Sequence, residues 1–226
     1  YEDLRAVLKN HEAFSSDVGS LGGGQFAGIH REILENGGGW PHVSTLQRTD
    51  PPIHDRYRKL LDRVFTISRV RELTSHIDQV VDLLIDRFVV RGECEFNDEF
   101  AMPMPGIIIA EQLGLDAGKV EIFKKWADAM LGAARAAVAT EDEVRANAEM
   151  ELEAQLFLAD IFEKRRKQPS DDLMSALVHS HGEDEEPLTM AELQNVMHQL
   201  ITGGFETTQT AINHGMWTLI RYPELQ

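Results

Sequence analysis

Apolar residues recur at helical spacing through most of this chain. Between positions 70 and 90 they lie three and four residues apart, the period at which one side of an α-helix meets a core. Similar spacing recurs over 119–138, 142–168 and 189–222, and no segment alternates convincingly enough to predict a strand. The pattern therefore predicts a mostly α protein in which all 226 residues can share one core. In the first of these helices we expect the core positions Leu73, Ile77, Val80, Val81, Leu84 and Phe88.

The last helix is predicted to be the longest. Thr189 can cap its first turn, and Glu192 can reach back to complete a capping box. Pro223 ends the helix, which gives roughly 50 Å of continuous α-helix. By contrast, the glycine-rich stretch from Gly19 to Gly39 is expected to be irregular.

The middle of that long helix contains the most unusual patch of the sequence, Gly-Gly-Phe-Glu-Thr-Thr at 203–208. Each of the two adjacent glycines costs a helix roughly 1 kcal/mol relative to alanine. One interpretation is structural, with a neighbouring helix packed close and Thr207 hydrogen-bonded one turn back. The other is functional: a ligand approaches the backbone at Gly203 and Gly204, and Glu206 and Thr207 supply protons.

Composition and charge exclude several classes of protein. The net charge of −16 argues against nucleic-acid binding, and no apolar run reaches the length of a membrane span. No signal peptide is visible. The single cysteine, Cys94, suits a reducing compartment, and we expect a cytoplasmic protein. Cys94 lies between two glutamates, which makes it a poor nucleophile or thiolate ligand.

Positive charge is concentrated in one predicted helix. Six of the chain's 22 basic residues lie between His54 and Arg71. His54 and Arg58, one turn apart at the edge of the apolar stripe, offer two donors to an anion that lies against hydrophobic surface. A solvated basic face is the alternative, and the commoner one. The predicted basic face is Arg56, Lys59 and Arg63, and the predicted core face is Tyr57, Leu60, Leu61 and Val64.

The remaining histidines give weaker signals. Glu72 and His76 are four residues apart but have no matching second pair, so a di-iron bundle is not indicated. His179 and His181 could form a weak metal site, although solvated loop residues are the better interpretation. No glycine run has the spacing of a phosphate-binding loop.

Five segments together resemble the soluble bacterial cytochromes P-450. Residues 50–58, Asp-Pro-Pro-Ile-His-Asp-Arg-Tyr-Arg, resemble the family's helix that clamps the haem propionates, and 203–208 resemble its oxygen-activation motif. Three softer matches lie in the right order at 100–105, 171–177 and 221–224. The resemblance implies the mostly α fold of the N-terminal and central helices of that family, over 1–226 as a single partial domain.

The resemblance also implies a haem cofactor. His54 and Arg58 would hold its propionates, and Gly203 and Gly204 would let the long helix run close over its distal face. The glycine-rich segment before Asp50 and the turn over 133–142 would shape the substrate, a small apolar organic molecule.

The implied chemistry is the activation of dioxygen by a monooxygenase. Thr207 would hydrogen-bond to the oxygen being activated, and Glu206 would relay protons to it. Electrons would come from a ferredoxin-type donor that docks on the basic face of Arg56, Lys59 and Arg63.

One departure from the family pattern limits the prediction. The family's axial cysteine follows the long helix by a long way, and Cys94 precedes it. We therefore expect a fragment that lacks the cysteine-ligand region and the N-terminal strands, contains no iron ligand and is inactive alone. The alternative function is a non-catalytic helical protein that binds an apolar ligand or a partner.

Overall fold

The computed structural model describes residues 1–17, 26–114, 120–132, 139–182 and 184–226. The described residues contain ten α-helices and no strand, which confirms the predicted mostly α fold. They also contain short 3-10 turns at Leu46–Arg48 and Pro223–Leu225 and a π-helical turn at Asn97–Ala101. The α-helices are α1 (Glu2–Lys9), α2 (Ala27–Asn36), α3 (Ile53–Val64), α4 (Ile67–Asp86), α5 (Pro103–Gln112), α6 (Val120–Gly132), α7 (Glu141–Lys167), α8 (Leu173–Val178), α9 (Met190–Gly204) and α10 (Glu206–Arg221).

Two predictions about helix boundaries need correction. The stretch from Gly19 to Gly39, predicted to be irregular, contains α2, whose Leu34 is fully buried although glycines lie on both sides of the helix. The single long helix predicted after Thr189 is divided at Phe205 into α9 and α10. The predicted capping box of Thr189 and Glu192 is present. The glycine run at 22–24 and most of the 133–142 turn lie outside the described residues.

The described residues form two compact units. Unit 1 comprises 1–65 and 129–198, and unit 2 comprises 66–128 and 199–226. In unit 1, α7 is the central helix and packs against α2 and α8, while α3 packs against α8. One stripe of α7 faces this core at intervals of three and four residues: Val144, Ala148, Glu151, Gln155, Leu158 and Phe162.

Unit 2 is built from α4, α5, α10 and most of α6, and α10 contacts α5 and the π-helical turn. Its core includes Leu84, Ile107, Phe123 and Phe205. No residue of α10 is buried, and its apolar Trp217 is 61% exposed. Within the part of the chain that the structure describes, no helix combines the length and apolar character needed to cross a bilayer.

Candidate functional site

The break between α9 and α10 centres on Phe205. Its backbone angles, φ −88° and ψ −72°, lie at the edge of the right-handed helical region, and the hydrogen bonds continue on both sides of it. The N–H of Phe205 donates to the carbonyl of Ile201 over 3.0 Å, and the N–H of Gln209 donates to the carbonyl of Phe205 over 3.0 Å. The ring of Phe205 is buried and meets Phe123 edge to face, with centroids 5.8 Å apart. Core packing in unit 2 therefore anchors the break.

The two glycines before this break have different surroundings. A Cβ built on Gly204 would lie 3.0 Å from Cδ1 of Ile109 in α5, which is tighter than ordinary contact. A Cβ on Gly203 would meet no atom of the described residues within 4 Å. The structural interpretation of the pair, close approach of a neighbouring helix, thus explains Gly204 and leaves Gly203 unexplained.

Thr207 and Glu206 occupy the first turn of α10. The hydroxyl of Thr207 donates to the carbonyl of Gly203 one turn back, and its side chain is otherwise exposed. This bond uses the only proton of the hydroxyl and leaves its lone pairs available to accept one. Glu206 is half-buried in this turn. Gly203, Gly204, Glu206 and Thr207 therefore lie within five consecutive residues of unit 2.

His54 and Arg58 share one turn of α3 in unit 1. Both side chains are accessible, at 37% and 54% exposure, beside the exposed Ile53. The guanidinium of Arg58 lies 2.7 Å from a carboxylate oxygen of Asp62, and Nδ1 of His54 lies 3.6 Å from Asp55. Such exposed ion pairs contribute about 0–1 kcal/mol to the free energy of unfolding. The two side chains can therefore leave these carboxylates and bind another anion at little cost in stability.

The predicted core face of α3 is buried as expected, at Tyr57, Leu60, Leu61 and Val64. The predicted basic face is engaged by carboxylates of unit 1. Arg56 lies 2.6 Å from Glu192, and both Lys59 and Arg63 pair with Glu185. The hydrogen bonds from Arg63 and then Lys59 hold the pKa of Glu185 well below its usual range. Burial, and then a hydrogen bond to Glu192, raise the pKa of Tyr57 to about 12.

A further cluster was not foreseen from the sequence. Glu151 of α7, whose side chain is 2% exposed, lies 3.0 Å from Nε2 of His30 and 2.8 Å from Nε2 of His42. Burial opposes the charge of Glu151, but the hydrogen bonds from the two histidines outweigh it and hold its pKa below the usual range. The available signal was Glu151 itself, because it is a charged residue within the apolar stripe of α7.

Comparisons with known proteins agree with the resemblance seen in the sequence. The family profile described as Cytochrome P-450 matches residues 121–226. The 6-deoxyerythronolide B hydroxylase of Saccharopolyspora erythraea is 31% identical over 182 residues, which cover 80% of this chain and 44% of that protein. The mycinamicin IV hydroxylase/epoxidase of Micromonospora griseorubida is 30% identical over 229 residues, which cover 100% of this chain and 53% of that protein.

A solved structure gives the same answer. The cytochrome P-450 PksS of Bacillus subtilis 168 is similar with a TM-score of 0.78 at 26% identity, over 99% of this chain and 52% of that one. The chain belongs to the cytochrome P-450 family. It spans about half the length of these relatives.

The family implies a haem-iron cofactor, and two observations on the described residues fit one. In unit 2, the position of a Gly203 side chain is open space beside the exposed Thr207, so a flat group can approach that backbone. In unit 1, His54 and Arg58 present accessible N–H donors beside an apolar side chain, which suits carboxylates attached to an apolar macrocycle.

Proposed function

We propose that the protein containing this chain is a haem-dependent monooxygenase that oxidises a small apolar organic substrate with dioxygen. Bound haem would supply the iron at which dioxygen is reduced and cleaved. Family membership supports this proposal, and both relatives described above are named for hydroxylation. The single observation that carries it in this chain is Gly203, whose missing side chain faces open space although packing does not require a glycine there.

In this proposal, the chain's own residues bind the cofactor and move protons. His54 and Arg58 hold the two propionates. The hydroxyl of Thr207 accepts a proton from the solvent side and donates its own when it rotates away from the carbonyl of Gly203. The carboxylate of Glu206, in the same helical turn, returns protons to that hydroxyl from solvent. Substrate would be shaped by the segment before Asp50 and by the 133–142 turn.

The electron donor is proposed to be of the ferredoxin type, docking on Arg56, Lys59 and Arg63. Lys59 supports this best, because its side chain is 64% exposed even though it pairs with Glu185. An acidic donor would compete with Glu185 for the same ammonium group, so the interaction should weaken as salt rises.

We also propose that the axial ligand is not Cys94, the single cysteine of these 226 residues. Cys94 is exposed and precedes α9 and α10 in the chain, whereas the family resemblance places the axial cysteine after them. It follows that these residues alone would not catalyse the reaction, because no other thiolate could donate electron density to the iron. One cysteine also leaves no internal disulfide, which supports a reducing, cytoplasmic location.

The experiment is the absorption spectrum of the full-length protein, reduced and saturated with carbon monoxide. We expect a strongly red-shifted Soret band from thiolate-ligated haem, unchanged in a Cys94→Ser variant. Loss of the band in Cys94→Ser would make Cys94 the ligand. Absence of any haem band in the wild type would overturn the proposal and favour a helical protein that binds an apolar ligand or a partner.

A further inference from the structure

His30, His42 and Glu151 form a cluster in unit 1, buried at Glu151 and partly exposed at His42, that the proposed oxygen chemistry does not use. It joins three separate segments: His30 lies on α2, His42 follows that helix, and Glu151 lies on α7. One ligand atom from each residue can be chosen so that all lie within 4.8 Å of one another. We propose that these three side chains bind one divalent transition-metal ion, with Zn²⁺ as the best match.

The types of ligand atom in the cluster indicate which metal it would bind. Two imidazole nitrogens and one carboxylate oxygen are ligands that Zn²⁺ accepts, whereas Mg²⁺ and Ca²⁺ prefer oxygen ligands throughout. A tetrahedral ion with bonds of about 2.1 Å holds its ligands about 3.4 Å apart. The two histidine–carboxylate distances, 3.0 and 2.8 Å, are already close to that separation. Side-chain movements of about 1 Å complete the geometry, and water can take a fourth position.

The residues around the cluster hold it in place. Nε2 of Gln155 donates to Glu151 over 3.2 Å and to the carbonyl of Trp40 over 3.3 Å. Oε1 of Gln155 accepts the backbone N–H of Trp40 over 2.7 Å. Gln155 thus fixes both the carboxylate and the segment that carries His42, which is the role that residues behind metal ligands usually have.

An ion also has a route to the cluster. The side chain of His42 is 36% exposed, whereas those of His30 and Glu151 are 12% and 2% exposed. On another side, the ring of His198 meets His42 edge to face, with centroids 5.4 Å apart. The positive charge of Arg48 acts on His42 and disfavours a cation, so we expect a moderate rather than an extreme affinity.

The competing interpretation is a metal-free hydrogen-bonded cluster, in which histidine N–H groups satisfy the buried carboxylate. The two differ in what happens when Zn²⁺ is added. A metal site binds one ion per chain and gains stability, because the ion binds the folded protein and links α2, the segment after it and α7. A hydrogen-bonded cluster binds none.

The test uses the full-length, tag-free protein, stripped with a chelator and titrated with ZnCl₂ in a calorimeter, with MgCl₂ as the second probe. We expect one Zn²⁺ per chain and no Mg²⁺ at that site, together with a rise in melting temperature on adding Zn²⁺. His42→Asn and Glu151→Gln should each weaken Zn²⁺ binding by at least about tenfold and abolish the rise. His179→Asn is the matched control, because that histidine bonds only to the carbonyl of Ser175 among the described residues.

Wild-type protein that binds no Zn²⁺ overturns the proposal, as does binding that His42→Asn does not weaken. Loss of binding in His179→Asn instead would move the site to the surface loop. Because Glu151 is buried, Glu151→Gln could fail to fold. His42→Asn, at a partly exposed position, decides the matter in that case, with circular dichroism to establish that it is folded.

Discussion

The hydroxyl of Thr207 is hydrogen-bonded to the carbonyl of Gly203, so its removal can affect both stability and the proposed proton path. In Thr207→Val the shape is kept while the hydroxyl is lost, and only an exposed hydrogen bond to Gly203 disappears. We expect the free energy of unfolding to change by less than about 0.5 kcal/mol. Product formed per electron should fall about tenfold or more, with hydrogen peroxide released instead.

The measurement is product and peroxide per reducing equivalent in the full-length protein, with Thr207→Ser as the control that keeps a hydroxyl. Haem content should be equal in all three proteins. An unchanged yield in Thr207→Val would remove Thr207 from the proposed proton path.

Alanine substitutions can distinguish the roles of Gly203 and Gly204. Gly203→Ala adds a methyl group into open space, so we expect a gain in stability of up to about 1 kcal/mol from helix propensity. Gly204→Ala should gain less or lose stability, because its methyl group would lie 3.0 Å from Cδ1 of Ile109. In an Ile109→Val background, which lacks that atom, the two alanine variants should become alike.

Urea unfolding of the four variants measures this coupling as a double-mutant cycle. Equal effects of the two alanines in the wild-type background would contradict the assignment. If Gly203→Ala is more stable but retains less haem or activity, the glycine serves a ligand and not the fold.

Neighbouring cations on α3 should also differ in effect. Arg58→Ala should reduce haem retention, because its guanidinium is accessible and its pair with Asp62 is weak. Lys59→Ala should leave haem retention unchanged and raise KM for the electron donor, most at low salt. Arg63 keeps Glu185 paired in that variant, so stability should fall by at most about 1 kcal/mol. Haem retention and KM that respond alike to both substitutions would contradict this division of roles.

At the scale of elements, Phe205 decides where α9 ends. Its ring fills the core of unit 2 against Phe123, so Phe205→Ala should cost about 3–5 kcal/mol, whereas Phe205→Leu should cost much less. Phe14→Ala is the matched control, since Phe14 is 54% exposed, and should cost under about 1 kcal/mol. Thermal or urea unfolding provides the comparison. A similar small cost for all three would mean that the ring does not anchor the break.

The helices were predictable from periodicity, and the interruptions were not. The apolar stripes of α3 and α7 and the cap at Thr189 are local signals, and the structure has them at or near the predicted residues. The break at Phe205 was missed because it depends on a partner ring 82 residues away in the chain, and sequence spacing carries no record of that contact. α2 was missed because the glycines on both sides of it indicate irregular chain.

At the candidate site, too, local features were predictable from the sequence and long-range contacts were not. Residue types at 54, 58 and 203–208 were enough to name candidate site residues, since the argument rested on short segments, and their roles stay a prediction. The carboxylates that meet the basic face were not predictable, because Glu185 and Glu192 lie more than 100 residues after α3. The partners of Glu151 were hidden for the same reason, although its place on the apolar stripe indicated that it must have some.

At the scale of the whole molecule, two effects of pH act on stability together. The protein carries a formal charge of −16 at pH 7 and a calculated isoelectric point near 4.9, so acidification towards pH 5 relieves self-repulsion. The pKa of His42 is raised: burial lowers it, but the hydrogen bond and the charge of Glu151 together outweigh burial. Stability from His42 is therefore present below pH 6.5, its ordinary value, and is lost as pH rises through the folded pKa.

The contribution of Glu151 to stability changes with pH in the opposite direction to that of His42. Its folded pKa lies below the ordinary value of 4.5, so its contribution is present above that pH and is lost as pH falls further. The pH ranges in which His42 and Glu151 each contribute stability overlap between about pH 4.5 and 6.5. The cluster should stabilise unit 1 most in that overlap. Below that range the net charge turns positive and repulsion returns, while stability is also lost at Glu151 and at Glu185 and Glu143, whose pKa values are lowered too.

Urea unfolding of the chelator-treated full-length protein at about pH 7.5, 5.5 and 3.5 tests this account. Glu151→Gln should cost about 1–3 kcal/mol at pH 5.5, because the two histidines lose the charged acceptor that they share, and progressively less as pH falls below 4.5. Glu143→Gln, in the exposed capping box of α7, is the control and should cost little, because glutamine can also complete the box, with a much weaker pH dependence. Parallel curves for wild type and Glu151→Gln would mean that the buried carboxylate does not set the acid limit, and that the exposed carboxylates acting together do.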